Sequence, residues 1–149
     1  MTKAPYIKNF NRWKEEFKYH VPIKIRFSET DMFGHMNNVS PFIYFEEARI
    51  EYFKAVGLFQ DFDKVEDVPV VADLQCDYLK QVFFGETIQL YVKANRIGSS
   101  SLDIHYMGVQ ENGDVCLTGR GSIVNINKHT GKPVAISDEN RDKILTLQN

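Results

Sequence analysis

Two cysteines, Cys76 and Cys116, are all the thiol chemistry this 149-residue chain holds. They form no CxxC pair and stand at no Cys/His metal-ligand spacing, which removes structural zinc and dithiol redox centres from the readings. Two reduced, packed thiols are what remains. A dominant charge is missing too: 18 Lys and Arg against 20 Asp and Glu leave a net charge of −2. Nothing therefore draws the whole chain to nucleic acid or to an anionic membrane, and only a local basic patch for a phosphorylated small molecule stays open. No apolar run approaches the roughly 20 residues of a membrane span, and the opening MTKAPYIKNFNRWKEEF has no apolar signal core. The expectation is a cytoplasmic protein. Repeats, linkers and low-complexity tracts are absent as well.

What is present is a length that suits one domain with a real core. An aromatic share of 13%, with Phe 11 and Tyr 7, favours a sheet-rich fold with a large interior or an apolar ligand pocket. Residues 1–20 read as an extension in which Phe10, Trp13 and Phe17 recur at helical spacing, predicting a short amphipathic helix against the domain or a partner subunit. Residues 21–149 read as the domain. Val21, Ile23, Ile25 and Phe27 alternate with polar residues and predict a half-buried strand, with Pro22 near its start or on an edge.

A long helix follows, capped by Asn38 or Ser40, with Pro41 in its first turn and Gly57 as its stop. At 100° per residue, Val39, Phe42, Ile43, Ile50 and Phe53 share one face, opposite Glu47, Glu51 and Lys54. Residues 59–69 predict an acidic loop or short helical turn. The period then switches to two: strands are expected over Val70–Leu79, around Ile88–Ala94, around Leu102–Tyr106, and over Val115–Asn127, bent at Gly119 or Gly121. The Asn-Gly of ENGD makes a hairpin between the last two, and a short strand and a charged turn close the chain. One strand, one long helix and about four antiparallel strands make an α+β arrangement in which the helix covers the sheet.

Between the first strand and the helix lies SETDMFGHMNN, residues 28–38. It sets acids, a histidine and two amides at a helix start, where unpaired N–H groups and the positive dipole end keep a carboxylate ionised. Taken alone, Asp31 reads first as a turn aspartate that satisfies backbone N–H groups. Glu46 falls in the middle of the helix's apolar face, where an unpaired carboxylate is costly; it needs Arg49 or His35 as a partner, or an opening to a pocket.

These residues carry a specific resemblance. Arg26-Phe27, Glu29, Asp31, Gly34-His35-Met36-Asn37-Asn38, Phe42 and Phe45-Glu46-Glu47-Ala48-Arg49 match the pattern of the 4-hydroxybenzoyl-CoA thioesterase-like enzymes, and the order of elements resembles their hotdog fold. YLKQVFFGETIQL, residues 78–90, looks like the family's strand–turn–strand, with Phe84 where proline is more usual. The resemblance implies an acyl-CoA thioesterase that releases a free acid and coenzyme A. Asp31 would be its catalytic carboxylate, as nucleophile or general base. His35 would orient water, polarise the carbonyl or hold Asp31. Plant acyl-carrier-protein thioesterases share that Asp–His spacing, but with an asparagine where Phe33 stands here.

Asn38 would fix the turn and Asn37 would line the site. Glu46 would face the acyl group or form an ion pair. Oxyanion donors would come from backbone near Asp67 and Val68. Arg96, Ser99 and Ser100, on the NRIGSSS turn, would contact the nucleotide, with Lys80, Arg120 and Lys128 as looser candidates. The resemblance implies no metal and no redox cofactor, coenzyme A entering only as part of the substrate, and a homodimer or tetramer with sites between subunits. A thioesterase for acyl groups on acyl carrier protein and a non-catalytic acyl-CoA-binding module are the alternatives. A dehydratase would place its histidine and acid in a different context, and a lipid-binding β-barrel leaves the polar cluster ahead of the helix unexplained.

Overall fold

The computed structural model describes residues 4–58 and 64–148. Its element order is α1 (Phe10–Glu15), β1 (Tyr19–Lys24), a single 3-10 turn (Phe27–Glu29), α2 (Ser40–Val56), β2 (Asp67–Tyr78), β3 (Thr87–Ile97), β4 (Ser101–Val109), β5 (Val115–Asn127) and α3 (Asp138–Gln148). The five strands form one antiparallel sheet in the order β1-β3-β4-β5-β2. This is the α+β arrangement expected. β1 and β2 are the edge strands, so Pro22, which has no N–H to donate, sits on an edge as its chemistry requires. The first strand ends earlier than the alternation suggests: Ile25 is still buried, but Phe27 opens the 3-10 turn and is exposed. The predicted loop over 59–69 lies partly outside the described residues, and β2 is already under way at Asp67.

α2 lies on one face of the sheet. Pro41 occupies its first turn, and Gly57, at φ 82°, ends it in the left-handed conformation. Its buried face differs from the expected one. Pro41, Tyr44, Phe45, Ala48, Tyr52, Phe53 and Val56 are buried, whereas Val39, Ile43 and Ile50 face outward. The reason is ring packing. Phe45 stacks on Tyr106 of β4, centroids 4.3 Å apart, and fits only because β5 has Gly119 beneath it. A Cβ built at Gly119 would come within 2.5 Å of the Phe45 ring. The two glycines of β5 thus make room for the helix and side chains around it rather than a bend. The sheet's register shifts fall elsewhere, at Val71/Asp73, Ala94/Arg96 and Gly108/Val109.

The opposite sheet face carries the N-terminal segment. Trp13 and Phe17 are buried with Met107, and Tyr6, Phe10 and Tyr91 pack around them. The Trp13 indole N–H donates to Nδ1 of buried His105 at 2.9 Å. His105 Nε2 meets Asp103 at 3.0 Å, and Asp103 in turn accepts from Arg120 at 2.8 Å. The charged C-terminal turn expected from composition is the helix α3. Ile144 anchors it in the core, and the Gln148 side chain accepts from Tyr52 at 2.8 Å. Among the described residues no helix is long and apolar enough to cross a membrane.

Candidate active site

The stretch between the 3-10 turn and α2 folds back on itself. Thr30 bridges to Met36, His35 bridges to Phe83, and the Asp31 N–H donates to the His35 carbonyl at 2.7 Å. The Asp31 carboxylate closes this loop with one oxygen. Its Oδ1 accepts from the Phe33 N–H at 2.8 Å and the His35 N–H at 3.1 Å. The turn role is therefore real, and it uses half of the carboxylate. Oδ2 has no hydrogen-bond partner among the described residues, and the side chain is exposed.

Asp31, His35, Asn37 and Asn38 line one cleft of about 340 Å³ together with Tyr78 and Lys80. The His35 ring stands edge-on to Phe83, centroids 4.7 Å apart, and it is its backbone, not its ring, that holds Asp31. Asn37 does the capping expected of Asn38 or Ser40: its Oδ1 accepts from the N–H groups of Val39 and Ser40 and from the Ser40 hydroxyl. Asn38 contributes its carbonyl, which accepts from the Tyr78 hydroxyl. The loop is braced from below by Glu29, a buried carboxylate that accepts from the Arg26 side chain at 2.6 Å and the Tyr44 hydroxyl at 2.9 Å. Burial alone would raise its pKa; these donors outweigh it and hold the carboxyl below its usual value. Both cysteines are free, and burial pushes each thiol up to about 12, so neither is a ready nucleophile.

Residues 25–144 match the family model of the thioesterase-like superfamily. The chain belongs to that superfamily. It is a thioester hydrolase by class. The protein YsmA of Bacillus subtilis is 47% identical over 136 residues, 91% of this chain and 91% of its own length. Among solved structures, one described as a predicted thioesterase from Bacillus stearothermophilus shares 36% identity, with a TM-score of 0.77 over 86% of this chain and 94% of that one. A thioesterase complexed with coenzyme A and Zn from Thermus thermophilus shares 29% identity, with a TM-score of 0.77 over 90% of this chain and 96% of its own. The hotdog fold expected from the motif is the fold these thioesterases share.

In this thioesterase the remaining predicted site residues divide between two other places. Glu46 and Val68 line a second cavity of about 310 Å³ between α2 and β2, walled by Ile50, Phe53 and Ile123. Glu46 is exposed there, not buried mid-face, because the helix is turned; among the described residues it has no ion pair. Arg49, its expected partner, is buried and donates to the Tyr106 hydroxyl at 3.0 Å. The sequence offers Arg49 as that partner and as part of the motif, with no sign that it lines this cavity. Arg96, Ser99 and Ser100 sit at the β3–β4 hairpin. β3 begins beside the Asp31 cleft, after the turn at Phe83, and runs away from it, so these three lie at the opposite end of the sheet. Val68 is likewise at the far end of β2 from Tyr78. One chain does not bring them to Asp31. Of the looser cations, Lys80 reaches the cleft and pairs with Asp114 at 2.7 Å, whereas Arg120 is committed to Asp103 on the opposite sheet face. Among the described residues no three His, Cys, Asp or Glu side chains group as metal ligands.

Proposed function

We propose that this protein is an acyl-coenzyme A thioesterase working as a homodimer, with Asp31 as its catalytic carboxylate. The observation that carries the reading is the division of labour in that side chain: Oδ1 is fixed by two backbone N–H groups while Oδ2 is free in a cleft at the start of α2. A carboxylate so held is aimed without a further loss of side-chain freedom. Its free oxygen either attacks the thioester carbonyl or takes the proton of an attacking water, with His35 lining the same cleft. Coenzyme A is proposed as the carrier because the similar Thermus thermophilus thioesterase is complexed with it. The reading uses no metal and no redox cofactor. The free cysteines agree with a cytoplasmic site of action.

The dimer is supported by two features. β2 is a 12-residue strand with one edge unpaired. Val39, just before α2, Ile43 and Ile50 on α2, and Val70 and Val71 on β2 are exposed. Antiparallel pairing of β2 with its own copy at full overlap sets residue 68 of one chain opposite residue 77 of the other. It thereby carries the far end of each sheet, with Val68 and the Arg96–Ser100 hairpin, toward the partner's Asp31. A composite site would then unite the residues that one chain keeps apart, with backbone near Val68 as the oxyanion donor.

The test is thiol release from a panel of acyl-CoA thioesters, short, long and aryl, by the native protein and by Asp31→Asn, which keeps shape and removes charge. The expected result is hydrolysis of some members that falls about 10²-fold or more in the variant, on the order of 3 kcal/mol of barrier. Release unchanged by the substitution would overturn the role of Asp31. No release from any thioester would overturn the enzyme.

A further inference from the structure

The cavity between α2 and β2 has apolar walls and one anomalous group. Arg49 is 8% exposed and lines it. A guanidinium presents five N–H donors and stays charged at all relevant pH values. The Tyr106 hydroxyl takes one of those donors. Among the described residues Arg49 forms no ion pair. The other two charges at this cavity are at its mouth, on exposed residues: Lys54, which pairs with Glu51 at 3.4 Å, and Glu46, which solvent screens. A buried cation with no counter-ion is costly to keep, so the cavity is electrostatically complete only when something negative enters it.

We infer that this cavity takes an acyl group ending in a second carboxylate, which Arg49 receives as a counter-ion. The inference rests on the thioesterase reading and names its substrate class: a monothioester of a dicarboxylic acid. The shape argues for a carboxylate on a hydrocarbon chain over a free inorganic anion. Ile50, Phe53 and Ile123 offer apolar contact that a strongly hydrated phosphate would have to be stripped to accept, whereas a methylene chain gains from it. A planar carboxylate also matches the fork of a guanidinium in a two-bond geometry. In the proposed dimer the cavity of one chain lies on the side of the partner's Asp31, so the thioester carbonyl would be held at one subunit's aspartate and the distal carboxylate at the other's arginine.

The experiment is a set of matched pairs. CoA monothioesters of dicarboxylic acids, succinyl through sebacoyl, are each compared with the straight-chain acyl-CoA of the same carbon number, by kcat/KM with the native protein. At one or more lengths the dicarboxylic member should be preferred about tenfold or more, the factor expected of a charged hydrogen bond in a buried site. In Arg49→Met that ratio should collapse toward or below one, and in Arg49→Lys it should be kept in part. A preference for the unsubstituted chain at every length, or a dicarboxylic preference that survives Arg49→Met, overturns the inference. Calorimetric binding of the mono-N-methylamides of these diacids, which keep one carboxylate, against the N-methylamides of the matched monoacids, which have none, decides the same question with the native protein, without any turnover and without a variant. Selective binding of the carboxylate-bearing amides by a protein that hydrolyses no thioester would sink the enzymatic reading alone. Equal or weaker binding of those amides by an active thioesterase would sink this inference alone.

Discussion

His105 offers a quantitative test of how the N-terminal segment is held. It is 1% exposed. Nδ1 accepts from the Trp13 indole, so the ring proton is on Nε2, facing Asp103. Burial drives its pKa down from 6.5 to about 4; the attraction of Asp103 opposes this, and Lys93 and Arg120 add to it. The unfolded chain binds a proton near pH 6.5 and the folded one only near 4, so acid favours the unfolded state. The stabilisation is fully present above about pH 6.5 and drains away as pH falls toward 4, to a total of about 3 kcal/mol. Between about pH 7 and about pH 4.5, His105 should thus account for about 2.5 kcal/mol of lost stability.

His105→Gln replaces it with a neutral side chain able to accept from Trp13 and donate to Asp103. Urea unfolding of both proteins at the two pH values isolates the term, since the carboxylates that also titrate there are common to both. Trp13 is the chain's one tryptophan, so its fluorescence reads the contact directly. The expected result is a pH loss smaller by about 2.5 kcal/mol in the variant. Equal losses in the two proteins would mean that folded His105 takes up its proton as easily as an unfolded one, and the reasoning from burial would be refuted.

Two further changes test the elements that position the site. Gly119→Ala puts a methyl group within 2.5 Å of the Phe45 ring, and overpacking of that kind should cost about 1–3 kcal/mol in chemical unfolding; recovery in the double variant with Phe45→Leu would tie the cost to that contact. Asn37→Ala removes the acceptor for the N–H groups of Val39 and Ser40, and should lower stability by about 1 kcal/mol; a thermal midpoint identical to the native one would show that the cap is supplied otherwise.

The strands, the hairpin turns and the polar loop were legible because each depends on local sequence. Period two, Asn-Gly and the Asp31–Gly34–His35 spacing carry their own geometry. The helix face was not legible, for a physical reason. α2 is apolar along two stripes, one through Ile43 and Ile50, continued by Val39 at its N-cap, and one through Tyr44, Phe45, Ala48, Tyr52 and Phe53. A helical wheel weighs hydrophobicity alone and ranks the aliphatic stripe first. What decides the choice lies far off in the chain: a glycine at 119 under Phe45, a carboxylate at Glu29 for the Tyr44 hydroxyl, a terminal amide at Gln148 for the Tyr52 hydroxyl. A tyrosine can be buried only where its hydroxyl finds a partner, and such partners cannot be read from the helix itself.

The same rotation explains why the candidate site is divided. With the aromatic stripe committed to the sheet, the aliphatic one is left for a second surface, and Glu46 goes with it to the mouth of the cavity that Arg49 charges. Asp31, at one end of β2, and Val68 and Arg96 toward the other cannot meet within one sheet, because antiparallel strands keep their ends apart. In the proposed dimer they meet across β2, an edge strand of the sheet, paired with its own reverse. If the chain were a monomer at the concentrations used for assay, the cleft at Asp31 would lack both an acyl pocket and a nucleotide contact. Activity that falls on dilution in step with dissociation, measured by light scattering and thiol release on the same samples, is the expected behaviour. Full activity of a demonstrated monomer would require every substrate contact to come from the exposed cleft around Asp31, His35 and Tyr78 alone.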